Sequence, residues 1–299
     1  MDIVTHAMAG FVVAAPLASS HPVTAACVAL GSVAPDLDVL ARLLGKRAFL
    51  RAHQTYSHSL PVIAALTVVG WAAWRWRTIS EPWAPFALGA AMLAHVAMDA
   101  SNTYGTALLW PLSKRRFSTD WIFFVDAVTL LVTAIFAVAA GCNLIRGNSS
   151  PAPAILYGCS LGAWWFFRAI LARRAKRFRP EGASVPVPSA LLPRRFYGYT
   201  LVGQTARLFD LNVLTGETRF ANSIAILDQR HAALLATVPE YRLMRRLSAG
   251  YHVVEERFGD AAVTLVCRDL RMRNFGGTFG ALEVTFDSAG NVTRKVFHV

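Results

Sequence analysis

Acidic residues are scarce in this 299-residue sequence, with 18 Asp and Glu against 30 Lys and Arg, and charged residues of both signs make up only 16% of the chain. Soluble domains carry about 25% charged residues. So low a share, beside 55% hydrophobic residues, excludes a disordered chain and argues against a plain soluble enzyme. Cysteine is rare as well. Cys27, Cys142, Cys159 and Cys267 lie far apart in apolar surroundings, and with no CxxC pair or disulfide framework they read as small core residues. The N-terminus opens on Asp2 rather than a basic segment, so a secretory signal peptide of the usual kind is not expected. No internal repeat, helix-turn-helix, zinc finger or aromatic-rich RNA-binding signature is present, and nucleic-acid binding is not expected despite the net charge of +12.

The charge that is there is unevenly placed. Residues 1–145 hold nine Lys and Arg against seven Asp and Glu, and the remaining 21 and 11 follow. A near-neutral apolar front half with a basic back half suggests a membrane domain followed by a membrane-proximal appendage. Four apolar stretches approach the roughly 20 residues needed to span a bilayer: Leu60–Trp76, Trp83–Met98, Trp121–Ala140 and Ala154–Leu171. The first forty residues are also apolar, but Pro16, Ser19, Ser20, His21 and Pro22 interrupt them, so Thr5–Ala18 and Val23–Val33 read as a hairpin of two short helices.

Lys and Arg set the orientation. Arg42, Lys46, Arg47, Arg51, Lys114, Arg115, Arg116, Arg173, Arg174, Lys176, Arg177 and Arg179 all fall on one side of four spans, against Arg75, Arg77 and Arg146 on the other. The larger set is expected in the cytoplasm. After Arg179 the character changes. Residues 180–194 contain Pro186, Pro188 and Pro193 and read as an extended linker. Residues 195–299 alternate in short runs with turn signals, including a hairpin turn at Asp287–Asn291, and His231–Leu247 reads as a helix. The expected architecture is mainly α. It has a helical membrane bundle over 1–179, comprising the hairpin and about four spans, and then a small soluble α+β or β-rich domain that carries no catalytic motif.

Chemistry concentrates in the front half, where each ionisable group in apolar sequence is a functional candidate. His6 opens the first helix. Asp36 and Asp38 follow Pro35, two apart, and can either turn toward one cation or cap the next segment. His53 and His58 precede a span at a five-residue spacing that no regular helical face brings together, although a turn can. His95 and Asp99, four apart on an apolar helix, share a face. They form either half of a metal site or a bundle-stabilising hydrogen bond. Imidazole with carboxylate suits Zn²⁺, and Mn²⁺ as the carboxylate share rises. The hairpin brings His6 to the same membrane face as the others. Four histidines and three carboxylates exceed one tetrahedral structural zinc and suit a two- or three-metal hydrolytic centre with ions about 3.5–4 Å apart.

The segments Met1-Asp-Ile-Val-Thr-His-Ala-Met-Ala-Gly, Pro35-Asp-Leu-Asp, His53-Gln-Thr-Tyr-Ser-His-Ser-Leu and His95-Val-Ala-Met-Asp-Ala-Ser-Asn-Thr-Tyr-Gly-Thr resemble the YdjM-like membrane-bound metal-dependent hydrolases. Leu109-Trp-Pro-Leu-Ser and Arg116-Phe-Ser-Thr-Asp-Trp-Ile-Phe-Phe-Val-Asp continue the match in order, over about residues 1–130. The resemblance implies a bacterial inner-membrane hydrolase, distantly similar to zinc-dependent phospholipase C. It implies metal ligands at His6, Asp36, Asp38, His53, His58, His95 and Asp99, with catalytic roles for Asp36, Asp38 and Asp120. Gln54 stands where the family often has Arg, which removes a cation suited to phosphate, and Ala127 stands where it often has Pro. Asp126 reads mainly as a helix-entry carboxylate.

The resemblance and the location imply an ester or phosphoester substrate at the cytoplasmic membrane face, with membrane lipids as partners. The sequence gives no protein partner. The competing expectation is a non-catalytic membrane protein with a structural metal and a partner- or lipid-binding C-terminal domain.

Overall fold

The computed structural model describes residues 1–76, 80–259, 261–274 and 280–298; Arg77 and Val299 lie outside them. The chain divides into two compact units, Met1–Ile170 and Leu171–Val299.

The first unit is helical. Helix α1 spans Ile3–Ala14, with the Asp2 carboxylate capping it by accepting from Thr5 N, and continues into a 3-10 turn at Ala15–Leu17. Helix α2 spans Pro22–Gly31 and starts on its proline, where the missing N–H costs nothing. The hairpin expected in this stretch is therefore present. A 3-10 helix, Ala34–Leu44, follows α2 at a 49° bend, and α3 covers Lys46–Ala52. Helices α4 (Leu60–Trp76), α5 (Ala84–Ala100), α6 (Ala127–Ile145) and α7 (Ala152–Phe178) fall on the four apolar stretches.

Of these, α6 and α7 are long and apolar enough to cross a membrane. The bent pair Pro22–Gly31 and Ala34–Leu44 makes a third span if taken as one. The expected count of about four relied on α4 and α5, which are apolar but only 17 residues each. At 1.5 Å per residue the described part of each is about 25 Å long, at the lower end of the roughly 17–25 residues that span a bilayer. The third stretch also starts later than hydropathy suggests. Residues 121–126 are not helical, and the Asp126 side chain accepts from Thr129 N to cap α6, the helix-entry role expected of it.

Close backbone approach positions the helices around the site. A Cβ at Gly31 would lie 2.4 Å from Leu88 O, so only glycine lets α2 rest directly on α5. Gly105, at φ +62°, plays a similar part in the loop after α5. There a Cβ would meet Phe117 O at 2.2 Å, across the antiparallel bridge between Thr106 and Phe117.

The second unit contains two four-stranded antiparallel sheets, in the orders β1-β2-β3-β4 and β5-β6-β7-β8. The first comprises Val187–Pro188, Arg195–Val202, Thr205–Asn212 and Thr218–Ala225. The second comprises Tyr251–Phe258, Ala262–Asp269, Leu282–Asp287 and Val292–Phe297. Alternate residues are buried, as in Leu282, Val284 and Phe286 on β7, and Asp287 closes the last hairpin by accepting from Ala289 N and Asn291 N. Residues 180–194, expected as a linker, are tied to the first sheet, with Val187 opposite Tyr197 and Pro188 opposite Phe196. The helix expected over His231–Leu247 is two, α8 (Ala232–Ala236) and α9 (Pro239–Leu247). Pro239 forces Val238 into extended backbone, φ −99° and ψ 100°, and separates them.

Candidate metal centre

Pro35 lies in the first turn of the 3-10 helix, and helical winding decides where the two aspartates go. At three residues per turn, positions i and i+2 lie about 120° apart around the axis. Asp36 is buried, with Oδ1 3.5 Å from His95 Nε2 and 3.8 Å from His58 Nε2. Asp38 turns to the loop before α4. Its Oδ1 meets His53 Nδ1 at 3.0 Å, and its Oδ2 accepts from Gln54 N at 2.9 Å and Ser57 Oγ at 3.4 Å. The two carboxylates do not converge on one point.

Helix α5 supplies His95 and Asp99 from one buried face. His95 Nδ1 donates to Ser32 O at 2.7 Å, because a carbonyl can only accept. In the neutral ring this leaves Nε2 bare and facing Asp36, with His58 Nε2 3.3 Å away. Asp99 is fully buried and heavily contacted. Its Oδ2 is 3.0 Å from both His58 Nε2 and Gln54 Nε2, and its Oδ1 is 3.1 Å from His6 Nε2 and paired with the Met1 amino group.

Four buried residues thereby offer ligand atoms within 4.8 Å of one another: Asp36, His58, His95 and Asp99. Asp36 Oδ2 has no hydrogen-bond partner among the described residues. A buried carboxylate oxygen with no donor is costly unless a cation satisfies it, and with two imidazoles and a second carboxylate beside it these residues fit a divalent metal. Burial, followed by the neighbouring His95 and His53, holds the His58 imidazole well below its usual range and so in the neutral form a ligand needs.

The other expected residues stand around this set. The His6 ring stacks on that of His95 at 3.6 Å while its Nε2 meets Asp99. His53 pairs with Asp38 rather than with the four. Asp38 in turn lies behind His58, with Oδ2 3.6 Å from Nδ1 and Ser57 Oγ 3.1 Å from the same nitrogen. A carboxylate behind the far nitrogen of a ligating imidazole is a recurrent device for orienting it. Asp120 is not one of the four clustered residues. It sits at φ +57°, and Ser118 Oγ donates to its carboxylate at 3.1 Å.

Two functional-grade groups escaped the sequence reading. Arg116, counted for topology and within a family-like segment but given no role at the site, donates from Nη2 to Gln54 Oε1 at 2.9 Å and Gly105 O at 2.6 Å, and from Nε to Tyr104 O at 3.1 Å. Burial lowers its pKa to about 10, against the pull of Asp38, and the guanidinium stays charged. Gln54 therefore links a buried cation to Asp99, and the Arg that the resemblance leads one to expect at position 54 is replaced by a relay to Arg116. Gln54 holds φ +56°, a strained conformation for a residue with a side chain. The second missed group is Arg168, fully buried within α7, which donates from Nε to Trp121 O at 3.1 Å. A charge inside an apolar run was the signal that could have found it.

Residues 1–175 match the family described as "YdjM inner membrane protein". The chain is also 28% identical over 233 residues to "Uncharacterized protein YfhP" of Bacillus subtilis (strain 168), covering 70% of this chain and 67% of that protein. No solved structure matches the chain.

Proposed function

Because the chain belongs to the YdjM inner membrane protein family, we propose that it is an integral-membrane, metal-dependent hydrolase of an ester or phosphoester at the cytoplasmic membrane face. The observation that carries this reading is the convergence of Asp36, His58, His95 and Asp99, with Asp36 Oδ2 left unpartnered. Two imidazoles with two carboxylates suit zinc, with manganese as the alternative, and the surrounding His6, His53 and Asp38 leave scope for a second ion. When bound, such a metal supplies Lewis acidity and lowers the pKa of water at the site to about 7.

The chain's own residues divide the remaining work. His95, its proton held on Nδ1 by Ser32 O, presents Nε2 as a ligand. Asp38 and Ser57 orient His58. Asp36 Oδ1 faces the imidazoles while Oδ2 remains available to take a proton from water. Arg116, through Gln54, holds Asp99 in place. Asp120, hydrogen-bonded within its own turn, is assigned no step. The twelve-to-three bias of Lys and Arg supports the cytoplasmic assignment of the site and of the C-terminal unit. A reporter fused at the C-terminus should read cytoplasm, and a periplasmic signal overturns that part.

Complete burial of His58 and Asp99 favours a second reading, a closed structural metal in a non-catalytic membrane protein whose C-terminal domain binds a partner or lipid. Full-length protein in detergent, loaded with zinc or manganese and assayed against phosphodiester, phosphomonoester and carboxylester panels, separates the two. The hydrolase reading expects turnover that is lost in Asp36→Ala with the fold retained. Bound metal with no turnover on any ester supports the structural reading.

A further inference from the structure

The first unit contains a cavity of about 550 Å³ that shares its wall with the metal centre. The stacked rings of His6 and His95, whose Nε2 atoms face Asp99 and Asp36, are also lining residues of the cavity. The rest of the wall is nearly all apolar, with Val13 from α1, Ala90, Ala94 and Ala97 from α5, and Leu161 and Trp165 from α7. Val13, Ala90, Ala94 and Ala97 are exposed on the outside of the apolar helices, so the cavity is open along the side of the helical unit.

Its polar lining groups are largely committed elsewhere. Ser32 Oγ donates to Ala29 O at 2.7 Å, and the Tyr157 hydroxyl pairs with Thr133 Oγ1 at 3.2 Å. The Trp165 indole N–H has no partner among the described residues but is itself closed off from the cavity.

We infer that this cavity holds the hydrocarbon chain of a membrane lipid ester, placing the ester or phosphoester beside His6 and His95. As a statement about substrate this rests on the hydrolase reading; as a statement about binding it does not. The apolar, laterally open wall selects a lipid over a water-soluble ester. Bilayer hydrocarbon is as apolar as the cavity, so burial of the chain there adds little affinity. The gain is position: a chain held in one slot delivers the head-group linkage to one place, where orientation counts for most.

The test uses the full chain, zinc-loaded, in nanodiscs of phosphatidylethanolamine and phosphatidylglycerol doped with a phospholipid carrying a diazirine in one acyl chain. After photolysis, labelled peptides are mapped by mass spectrometry. Labelling around Val13, Ala90–Ala97 and Leu161–Trp165 should exceed several-fold that on Leu131, Ile135 and Val138, which face outward on α6. Ala94→Trp, or Ala90→Phe as a second filling variant, should return the cavity residues to the α6 level while bound zinc reports an intact fold. Wild-type labelling no higher than on α6 overturns the inference, and so does enrichment that survives both variants with zinc retained. If both variants misfold, the wild-type comparison alone decides. Labelling needs no turnover, so enrichment without hydrolysis overturns the hydrolase reading and leaves the lipid site standing. Hydrolysis without enrichment does the reverse.

Discussion

The Nε2 atoms of His58 and His95 face each other at 3.3 Å, closed in by Asp36 and Asp99. Ser32 O holds a His95 proton on Nδ1, so in the neutral ring Nε2 turns a lone pair toward the Asp36 and Asp99 carboxylates, which repel it. A cation between them removes the conflict. Full-length protein should therefore purify with divalent metal, and His95→Ala should lower the affinity by more than the roughly 10–100-fold that outer-shell changes cost. Chelation should lower the melting temperature, because a ligand present at about 1,000 times its Kd stabilises by about 4 kcal/mol. Identical melting with and without chelator would falsify the metal site.

Asp38 and Asp36 should behave differently although they are two residues apart. Asp38 contacts His53, Gln54 N, Ser57 and the far side of His58 rather than the centre of the cluster. Asp38→Asn should weaken metal binding by about 10–100-fold, as loss of an orienting carboxylate does, whereas Asp36→Asn should cost more. Competition with a metallochromic indicator measures both. Equal losses would mean that Asp38 ligates directly.

That distinction shows where sequence reading ends. His95 and Asp99 share a face because an apolar run with helical period fixes their spacing. Asp126 was legible for a related reason, since a carboxylate at the edge of an apolar run caps it. Pro35-Asp-Leu-Asp does not show whether it is extended, with i and i+2 on one face, or helical, and helical winding is what sends Asp36 and Asp38 apart. His53 and His58, at a spacing that fits no regular face, both reach Asp38 because Gln54 turns the chain at φ +56°. Arg116 lies 62 residues beyond Gln54, and a contact of that range leaves no local pattern. Arg168 did leave one and was overlooked inside a run judged by its hydropathy.

Arg116 holds the two loops beneath the site together, so its shape should matter as much as its charge. It bonds Gln54 Oε1, Gly105 O and Tyr104 O from a single planar fork, a geometry that lysine lacks. Hydrogen bonds to charged groups contribute about 1.5–3 kcal/mol each. Arg116→Met should destabilise by about 3 kcal/mol or more, and Arg116→Lys should recover little. Thermal melts and limited proteolysis within residues 100–120 report it. A fully stable lysine variant would show that only the positive charge counts.

The C-terminal unit should show an acid-sensitive joint at Asp228. Burial alone raises its pKa, but hydrogen bonds from His252 Nδ1 at 2.6 Å and from the Tyr241 hydroxyl outweigh that and hold it below the usual carboxylate range. A carboxylate with a depressed folded-state pKa contributes stability that is fully present above its unfolded value, about 3.9, and is lost as pH falls through the folded value. Asp228 also accepts from Val253 N at 3.3 Å, while Leu227 N donates to Val253 O at 3.1 Å, so β5 is anchored through the same group. In the full chain, Asp228→Asn should reduce hydrogen-exchange protection across Tyr251–Phe258 at pH 7 by an amount equivalent to about 1–3 kcal/mol. The gap from wild type should shrink as the pH drops below about 4, where protonation removes the same charge from the native residue. A gap that stays constant from pH 7 to pH 3 would mean that shape, not ionisation, makes Asp228 matter.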